Sequence, residues 1–591
     1  MRKSALFVLV FIMALSAFSI GVGLSYNYQL FAGDDSETVS GTRADDKDKD
    51  KEKEEEVKDF KVKGVHYKVK ADGEVEVDDK GTDTTVIVIP KEVTYKKKTY
   101  KVTSIVEKAF YQNKTLKSVT IEGGGTVVPK QAFEGCTLTT LKIGEGFKSI
   151  DEAAFKSCTS LSSVEVGTGL QKIAESAFEG GSSLATVKLP DTLEEIEKNA
   201  FKDCTQLATL EMESVSKKIA ESAFENCSNL TTLKLTKGPE EIEKNAFKGC
   251  SKLEEVEMEQ VSKKLAESAF ENCTSLTKFK LTTSPEEIEK DVFKGCTQLA
   301  EVEFGTGLKK IGESVFEACE NLKTVKLPDT LEEIEKNAFK DCTQLEELEM
   351  EAVSKKIGES AFENCKSLTK LKLTKGPEEI EKNAFKDCSK LEEVEIESDL
   401  KTLGDSVFEG CSELKKLSLP KTFKEMGKTV LKDCKKLEEL LIKGNLDEIT
   451  KELFEDCESL TTIEIEGDVK LVEDSVFMGN EKLKTVKLLG NVEEIGKKAF
   501  KDCENLETFE FKKNKEVKKI GESAFENCKS LKEMFIPGSL EIIEKKTFKG
   551  CVKLEKLEIE TGVKEIGESA FEGCSSLEEV TIPGSVKKVG E

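Results

Sequence analysis

One phenylalanine returns at almost constant spacing along most of this chain. It stands at 110, 133, 155, 178, 201 and onward to 571, with Leu431 filling the one gap, which makes twenty-one units. The step is 23 residues, except for 22 between Phe133 and Phe155 and 25 between Phe500 and Phe525. A fixed period of this length describes an array of small units, not a set of ordinary globular domains. No unit of this size holds enough apolar side chains to offset its own ordering entropy. Each must be covered on both open faces by its neighbours, so stability becomes a nearest-neighbour property.

The apolar positions repeat with the phenylalanine. The unit at Phe339 carries Ile334, Ala338, Cys342, Leu345, Leu348 and Met350. The unit at Phe362 carries Ile357, Ala361, Cys365, Leu368, Leu371 and Leu373. Residues nine and eleven after the phenylalanine alternate with polar ones, the period of a strand buried on one side. The segment Glu-Ser-Ala-Phe-Glu-x-Cys suits a short helical turn with Ala and Phe facing inward. Each rung is expected to run through a strand, a bend, a second short extended piece ending in Ile, and that helical turn. With strands about 4.8 Å apart, the stack should be on the order of 100 Å long.

Charge follows the same period. The residue after the phenylalanine alternates as Lys156, Glu179, Lys202, Glu225 and onward to Lys386 and Glu409. Ten residues after it the series is Lys188, Glu211, Lys234, Glu257, Lys280, Glu303, Lys326, Glu349, Lys372 and Glu395. Stacking sets like-numbered positions side by side, so a single sign would repel along the whole column. Alternation turns that repulsion into cross-strand pairs. It also suggests growth by duplication of a 46-residue pair. At the same outward position Leu441 and Phe535 are apolar, and Leu489 is apolar two residues further along its rung. These are either anchors for a partner or local irregularities of the rung.

All 18 cysteines stand three residues after the repeat position, with Asn113, Gly181 and Asn480 replacing cysteine in the other units. An even count in an exported chain suggests disulfides. The geometry opposes them: parallel Cβ vectors about 4.8 Å apart exceed the roughly 3.5–4.5 Å that a bridge needs. Buried thiols are expected. A four-cysteine zinc site needs closer ligand spacing than this period supplies.

The amino terminus is of different material. Met1-Arg2-Lys3 followed by an apolar run from Ala5 to Leu24 reads as a secretory signal peptide or a retained signal-anchor within residues 1–25. Residues 26–57 form a linker rich in Asp, Glu and Lys, with nothing to bury between Asp45 and Glu56. Over 58–104 the period becomes two, with an Asp72-Gly73 turn, so a small β-hairpin cap is expected ahead of an array at 105–591. The lone His66 is expected to face solvent from one of these strands. Lys512 to Val517 reads as a basic surface loop, and Val589-Gly590-Glu591 ends in mid-repeat without a distinct cap.

These residues resemble the BspA-type leucine-rich repeats of surface proteins from host-associated bacteria and parasitic protists. Leu-x-x-Leu-x-Leu matches the strand segment of such repeats. The stretch from Ile566 through Ala570-Phe571-Glu572-Gly573-Cys574 to Leu577, then Val580-Thr581-Ile582-Pro583, carries the likeness most fully. The segment from Val88-Ile89-Pro90 to Ile105 is similar to that family's entry cap. The resemblance covers about residues 58–591. It implies an α/β repeat solenoid, right-handed, with a parallel β-sheet on the concave face and short helical turns on the convex side. It also implies adhesion to host matrix or to other cells.

Enzyme chemistry is not expected. Paired acids such as Glu194-Glu195 and Glu332-Glu333 recur in many rungs, whereas catalytic carboxylates need one site with unlike environments. No motif for a serine hydrolase, zinc protease, phosphate loop or EF-hand occurs. No cofactor or metal is expected. With 90 basic against 115 acidic side chains, the formal net charge of −25 argues against nucleic acid. Sequons begin at Asn113, Asn226, Asn229 and Asn272, two of them with a buried Cys in the middle. The expected protein is a secreted or cell-surface binding scaffold. Its partner is a protein or glycan, met on the concave strand face at Lys188, Glu211, Lys234, Glu257, Lys280, Glu303, Lys326, Glu349, Lys372, Glu395, Leu441 and Phe535. The alternative is a structural coat or a self-associating spacer.

Overall fold

The computed structural model describes residues 57–591, apart from 72, 79–80, 351–352, 398 and 512–516. The leader and linker expected before Val57, and the insertion at 512–516, lie outside the described residues.

Alternation of apolar and polar residues makes two strands in each rung. The longer, such as Lys370–Leu373, buries Leu371 and Leu373 and turns Lys370 and Lys372 outward. The shorter, such as Glu379–Ile380, buries its isoleucine. Each strand pairs in parallel with its equivalent one repeat later, so Leu371 meets Val394 and Ile380 meets Leu403. The long strands form a six-stranded sheet from Val86–Ile89 to Thr209–Glu211 and a thirteen-stranded one from Thr232–Leu235 to Thr508–Phe511. A final pair joins Glu533–Ile536 to Lys556–Ile559. The short strands run from Val127–Val128 to Glu425–Met426 in one sheet of fourteen, with smaller sheets beyond it.

Between the sheets lies one continuous apolar core. The phenylalanine rings stack along it: Phe339 lies 4.9 Å from Phe316 and 5.0 Å from Phe362, centroid to centroid, with interplanar angles of 19° and 5°. The thiols are free, and all except the half-buried Cys574 are buried. A typical thiol donates to the carbonyl of the phenylalanine one rung earlier, as Cys342 does to Phe316 at 3.2 Å. Where asparagine replaces cysteine, its side chain turns to local backbone: Asn113 and Asn480 each accept the N–H groups two and three residues ahead.

The expected helical turns are not formed. The segment around Phe362 is a chain of tight turns in which alternate N–H groups leave the rung. Ala361, Glu363 and Cys365 donate three residues back, whereas Ser360, Phe362 and Asn364 donate to Lys382, Ala384 and Lys386 of the next rung. A helix would keep all of these bonds inside the segment. The reversal needs left-handed backbone on both sides of the phenylalanine, at Ser360 (φ 55°) and Asn364 (φ 67°). The position two residues after the repeat residue is left-handed in all twenty-one rungs, and Gly, Asn or Asp fills eighteen of them. Those residue types tolerate that region best. The one short 3₁₀ helix among the described residues, Glu452–Phe454, occurs where the residue two before the phenylalanine is not left-handed. There the Phe454 N–H turns inward to Lys451. The fold is therefore a solenoid of parallel strands and turns, not an α/β array.

At the amino-terminal end, five strands pair in the order Asp59–Val62, Val65–Ala71, Glu74–Asp78, Lys98–Ile105 and Glu92–Tyr95. Val86–Ile89 leaves this sheet and pairs in parallel with Ser118–Ile121, starting the long-strand stack. His66 does not face solvent: it is 9% exposed and its Nδ1 bonds the Asp78 carboxylate across the hairpin. Asp59, on the neighbouring strand, lies 3.9 Å from its other ring nitrogen.

Candidate functional site

The strand period sends positions eight and ten of each rung away from the core, and parallel in-register pairing lines them up into columns. In the tenth-position column, Lys188, Glu211, Lys234, Glu257, Lys326, Lys372 and Glu395 are exposed, and Lys280 and Glu303 are half-buried. Glu349 takes the same register opposite Lys372, on a strand whose side chains lie outside those described. The break between Thr209–Glu211 and Thr232–Leu235 separates Lys188 and Glu211 from the rest of the series. Leu441 and Phe535 occupy the same outward position and are half-buried. Leu441 stands in register between Ser418 and Glu464, and Phe535 stands opposite Glu558.

In six of the ten rungs of this series the eighth position repeats the sign of the tenth, and in the other four it is threonine. Glu255 accompanies Glu257, Lys278 accompanies Lys280, Glu301 accompanies Glu303, Lys370 accompanies Lys372, and Glu393 accompanies Glu395. Each of these rungs therefore presents a stripe of one sign between stripes of the other. The eighth-position pairs are close: Lys278 to Glu301 is 3.3 Å, Lys370 to Glu393 is 3.1 Å and Lys416 to Glu439 is 2.9 Å. Lys234 reaches diagonally to Glu255 at 3.0 Å, and that carboxylate holds its ammonium above the ordinary lysine range.

Pairs between tenth-position charges are longer. Lys188 to Glu211 is 3.8 Å, Lys280 to Glu303 is 3.5 Å, and Lys372 to Glu395 is 4.0 Å. The turn column behaves differently. Lys202 meets Glu225 at 2.9 Å, Lys248 meets Glu271 at 2.7 Å, and Lys294 meets Glu317 at 2.9 Å. The side chains of Lys202 and Glu225 are 29% and 18% exposed, against 64% and 61% for Lys188 and Glu211. The Glu225 carboxylate raises the Lys202 ammonium above its usual range, as Glu317 does for Lys294. Turn charges are engaged with one another on less exposed side chains, and the tenth-position pairs are longer and more open to solvent.

A family model described as a BspA type leucine rich repeat region matches the chain in six overlapping copies, over residues 91–208, 177–299, 217–346, 263–392, 378–507 and 494–591. The chain belongs to the BspA-type leucine-rich repeat family. No curated protein matches it. Among solved structures, a leucine-rich repeat protein from Bacteroides ovatus is 20% identical, with 90% of this chain and 98% of that one covered and a TM-score of 0.28. A leucine rich cell surface protein from Faecalibacterium prausnitzii is 22% identical over 69% of this chain and 95% of its own, with a TM-score of 0.32. The pneumococcal vaccine antigen PcpA is 20% identical over 77% of this chain and 98% of its own, with a TM-score of 0.27. Within this BspA-type array, no described helix is long and apolar enough to cross a membrane.

Proposed function

We propose that the protein is a non-enzymatic scaffold, secreted or held at the cell surface, that recognises a protein or glycan partner on the outward face of its long strands. What supports this reading is the difference between the two charge columns. The turn-column pairs close at 2.7–3.1 Å, and the tenth-position pairs Lys188–Glu211, Lys280–Glu303 and Lys372–Glu395 stay at 3.5–4.0 Å on more exposed side chains. Loosely engaged, rigidly mounted charges are the ones an arriving partner can take over, and they steer its approach. The apolar stretch from Ala5 to Leu24 supports export, as signal peptide or anchor. The family itself supports protein interaction and a surface location.

The test is capture of a partner from cell-surface and matrix extracts by the wild-type chain and by a variant with Lys188, Lys234, Lys326 and Lys372 changed to Ser. The expected result is capture that weakens in moderate salt and is lost in the variant. Capture indifferent to both salt and these four lysines overturns the reading.

A further inference from the structure

The alternation of sign at the tenth position breaks at Phe535 and, over two adjacent rungs, in the middle of the stack. After Glu395 the tenth position calls for a lysine, and Ser418 stands there; the next rung has Leu441 in place of a charge, and Glu464 follows. At the tenth position two consecutive rungs are thus uncharged between two glutamates, while their eighth positions, Lys416 and Glu439, pair with each other at 2.9 Å. The core is irregular at the same level: Leu431 interrupts the ring stack, and the short-strand sheet ends at Glu425–Met426 and restarts at Leu446–Ile449.

A depression lies over this level of the strand face. A cavity of about 1000 Å³ opens over the strands Glu393–Ile396 and Lys416–Leu419. Val394, Leu419 and Pro420 are buried beneath it. On one wall Glu395 has Lys372 at 4.0 Å on its far side and faces Ser418 on the near side, where Lys416 is engaged with Glu439 at 2.9 Å. Glu397 and Asp399 continue that wall, and Lys421 and Lys443 stand opposite. Among the described residues these four charges are exposed and make no ion pair, whereas their neighbours do, as in Glu392 to Lys415 at 2.7 Å.

We propose that this depression is a socket for a lysine or arginine side chain presented by an extended segment of a partner protein. The cation takes the place that a lysine holds in other rungs, with its head on Glu395 and its methylenes over Leu419 and Pro420. Long cationic side chains lie on apolar surface in this way while keeping their charge on a polar rim. A carboxylate further along the segment meets Lys421 and Lys443. The acidic and basic walls fix the direction of the segment, and a guanidinium suits a carboxylate better than an ammonium because it can donate two parallel hydrogen bonds. This inference rests on the strand-face reading above and narrows it to one level and one chemistry.

The experiment is fluorescence anisotropy on the full chain with a labelled Gly-Arg-Leu-Glu-Gly peptide and its citrulline counterpart, which keeps the shape and removes the charge. The wild type should bind the arginine peptide at least about tenfold more tightly, a difference of about 1.4 kcal/mol. Ser418→Lys should abolish that discrimination, and Glu395→Gln should reduce it. Lysine at this position is already accommodated in Lys326 and Lys372, so the first variant should fold, and an unchanged unfolding midpoint checks that it does. Equal binding of the two peptides, discrimination retained in Ser418→Lys, or no binding of either at millimolar concentration overturns the socket. None of these results touches salt-dependent capture by the wider face, which is judged separately with the four-lysine variant.

Discussion

The Sγ of Cys227 donates to the carbonyl oxygen of Phe201 at 3.3 Å, one rung earlier in the stack. That carbonyl also accepts the N–H of Cys204 within its own rung, at 3.1 Å. The same double engagement recurs along the array and ties each thiol to the turn beneath it. Burial pushes the thiols of Cys204 and Cys250 far above their ordinary range, to about 12. Half-buried Cys574 rises less, to about 11.

Alkylation should follow that order. The thiolate is the nucleophile, so a buried thiol reacts only when its rung opens. With iodoacetamide at mildly alkaline pH, mass spectrometry should find Cys574 modified first and Cys250 or Cys342 only after unfolding. Equal labelling of Cys342 and Cys574 in the native protein contradicts the buried ladder.

Alkali should destabilise the array. In the unfolded chain a thiol ionises near pH 8.5. Below that pH it is protonated in both states, and its contribution to stability is fully present. Above it the unfolded state loses protons that the folded state keeps, so stability falls as pH rises toward the folded values. Each thiol costs about 1.4 kcal/mol per pH unit in this window. The thermal midpoint should therefore hold below about pH 8.5 and fall ever more steeply beyond it. A midpoint that stays level up to pH 10 would show that the thiols are not protected by folding.

Removal of one ring should break the stack locally. Phe339 lies between Phe316 and Phe362 and is fully buried. Phe339→Ala should cost about 3–5 kcal/mol. Because rungs are held by their neighbours, limited proteolysis of the variant should cut near that rung and release two resistant pieces. Cleavage spread evenly along the chain would argue for whole-array cooperativity instead.

Much of this architecture was legible in the primary structure. The period, the inward Phe, Ala, Ile, Leu and Cys, and the outward charge columns all follow from spacing. The turn was misread for a physical reason. Glu-Ser-Ala-Phe-Glu is acceptable helix material by propensity, but the N–H of Phe362 has a better-placed acceptor in the next rung, at Ala384. The signal that could have found it was the Gly, Asn or Asp two residues after the phenylalanine. His66 was misplaced because period-two patterning ignores what a cross-strand acid such as Asp78 does to a neighbouring side chain. The Ser418 depression was hidden for another reason: a missing lysine is visible as a letter, but its effect on the surface depends on the rungs beside it.

Ala318 tests the turn geometry. It holds the left-handed position two residues after Phe316, with φ at 61°, where its Cβ is disfavoured. Ala318→Gly should stabilise the chain by about 0.5–1 kcal/mol, the relief of that strain less the greater freedom glycine has when unfolded. Urea denaturation reads the shift. Destabilisation would mean that this turn is not left-handed in solution.

The two charge columns should respond differently to reversal. Glu363 lies 3.1 Å from Lys340 in the turn column, and Lys386 follows it on the next rung. Glu363→Lys therefore sets three lysines in a row on half-buried positions, and the expected cost is about 1 kcal/mol. Glu211 sits 3.8 Å from Lys188, is well exposed, and begins no further pair because its sheet ends there. Glu211→Lys should cost distinctly less in urea denaturation at low salt, and molar salt should shrink the gap between the variants. If the two reversals cost the same, the strand-face charges contribute to folding no less than the turn charges do. The face would then have nothing spare to offer a partner, and the proposed function would lose the observation that carries it.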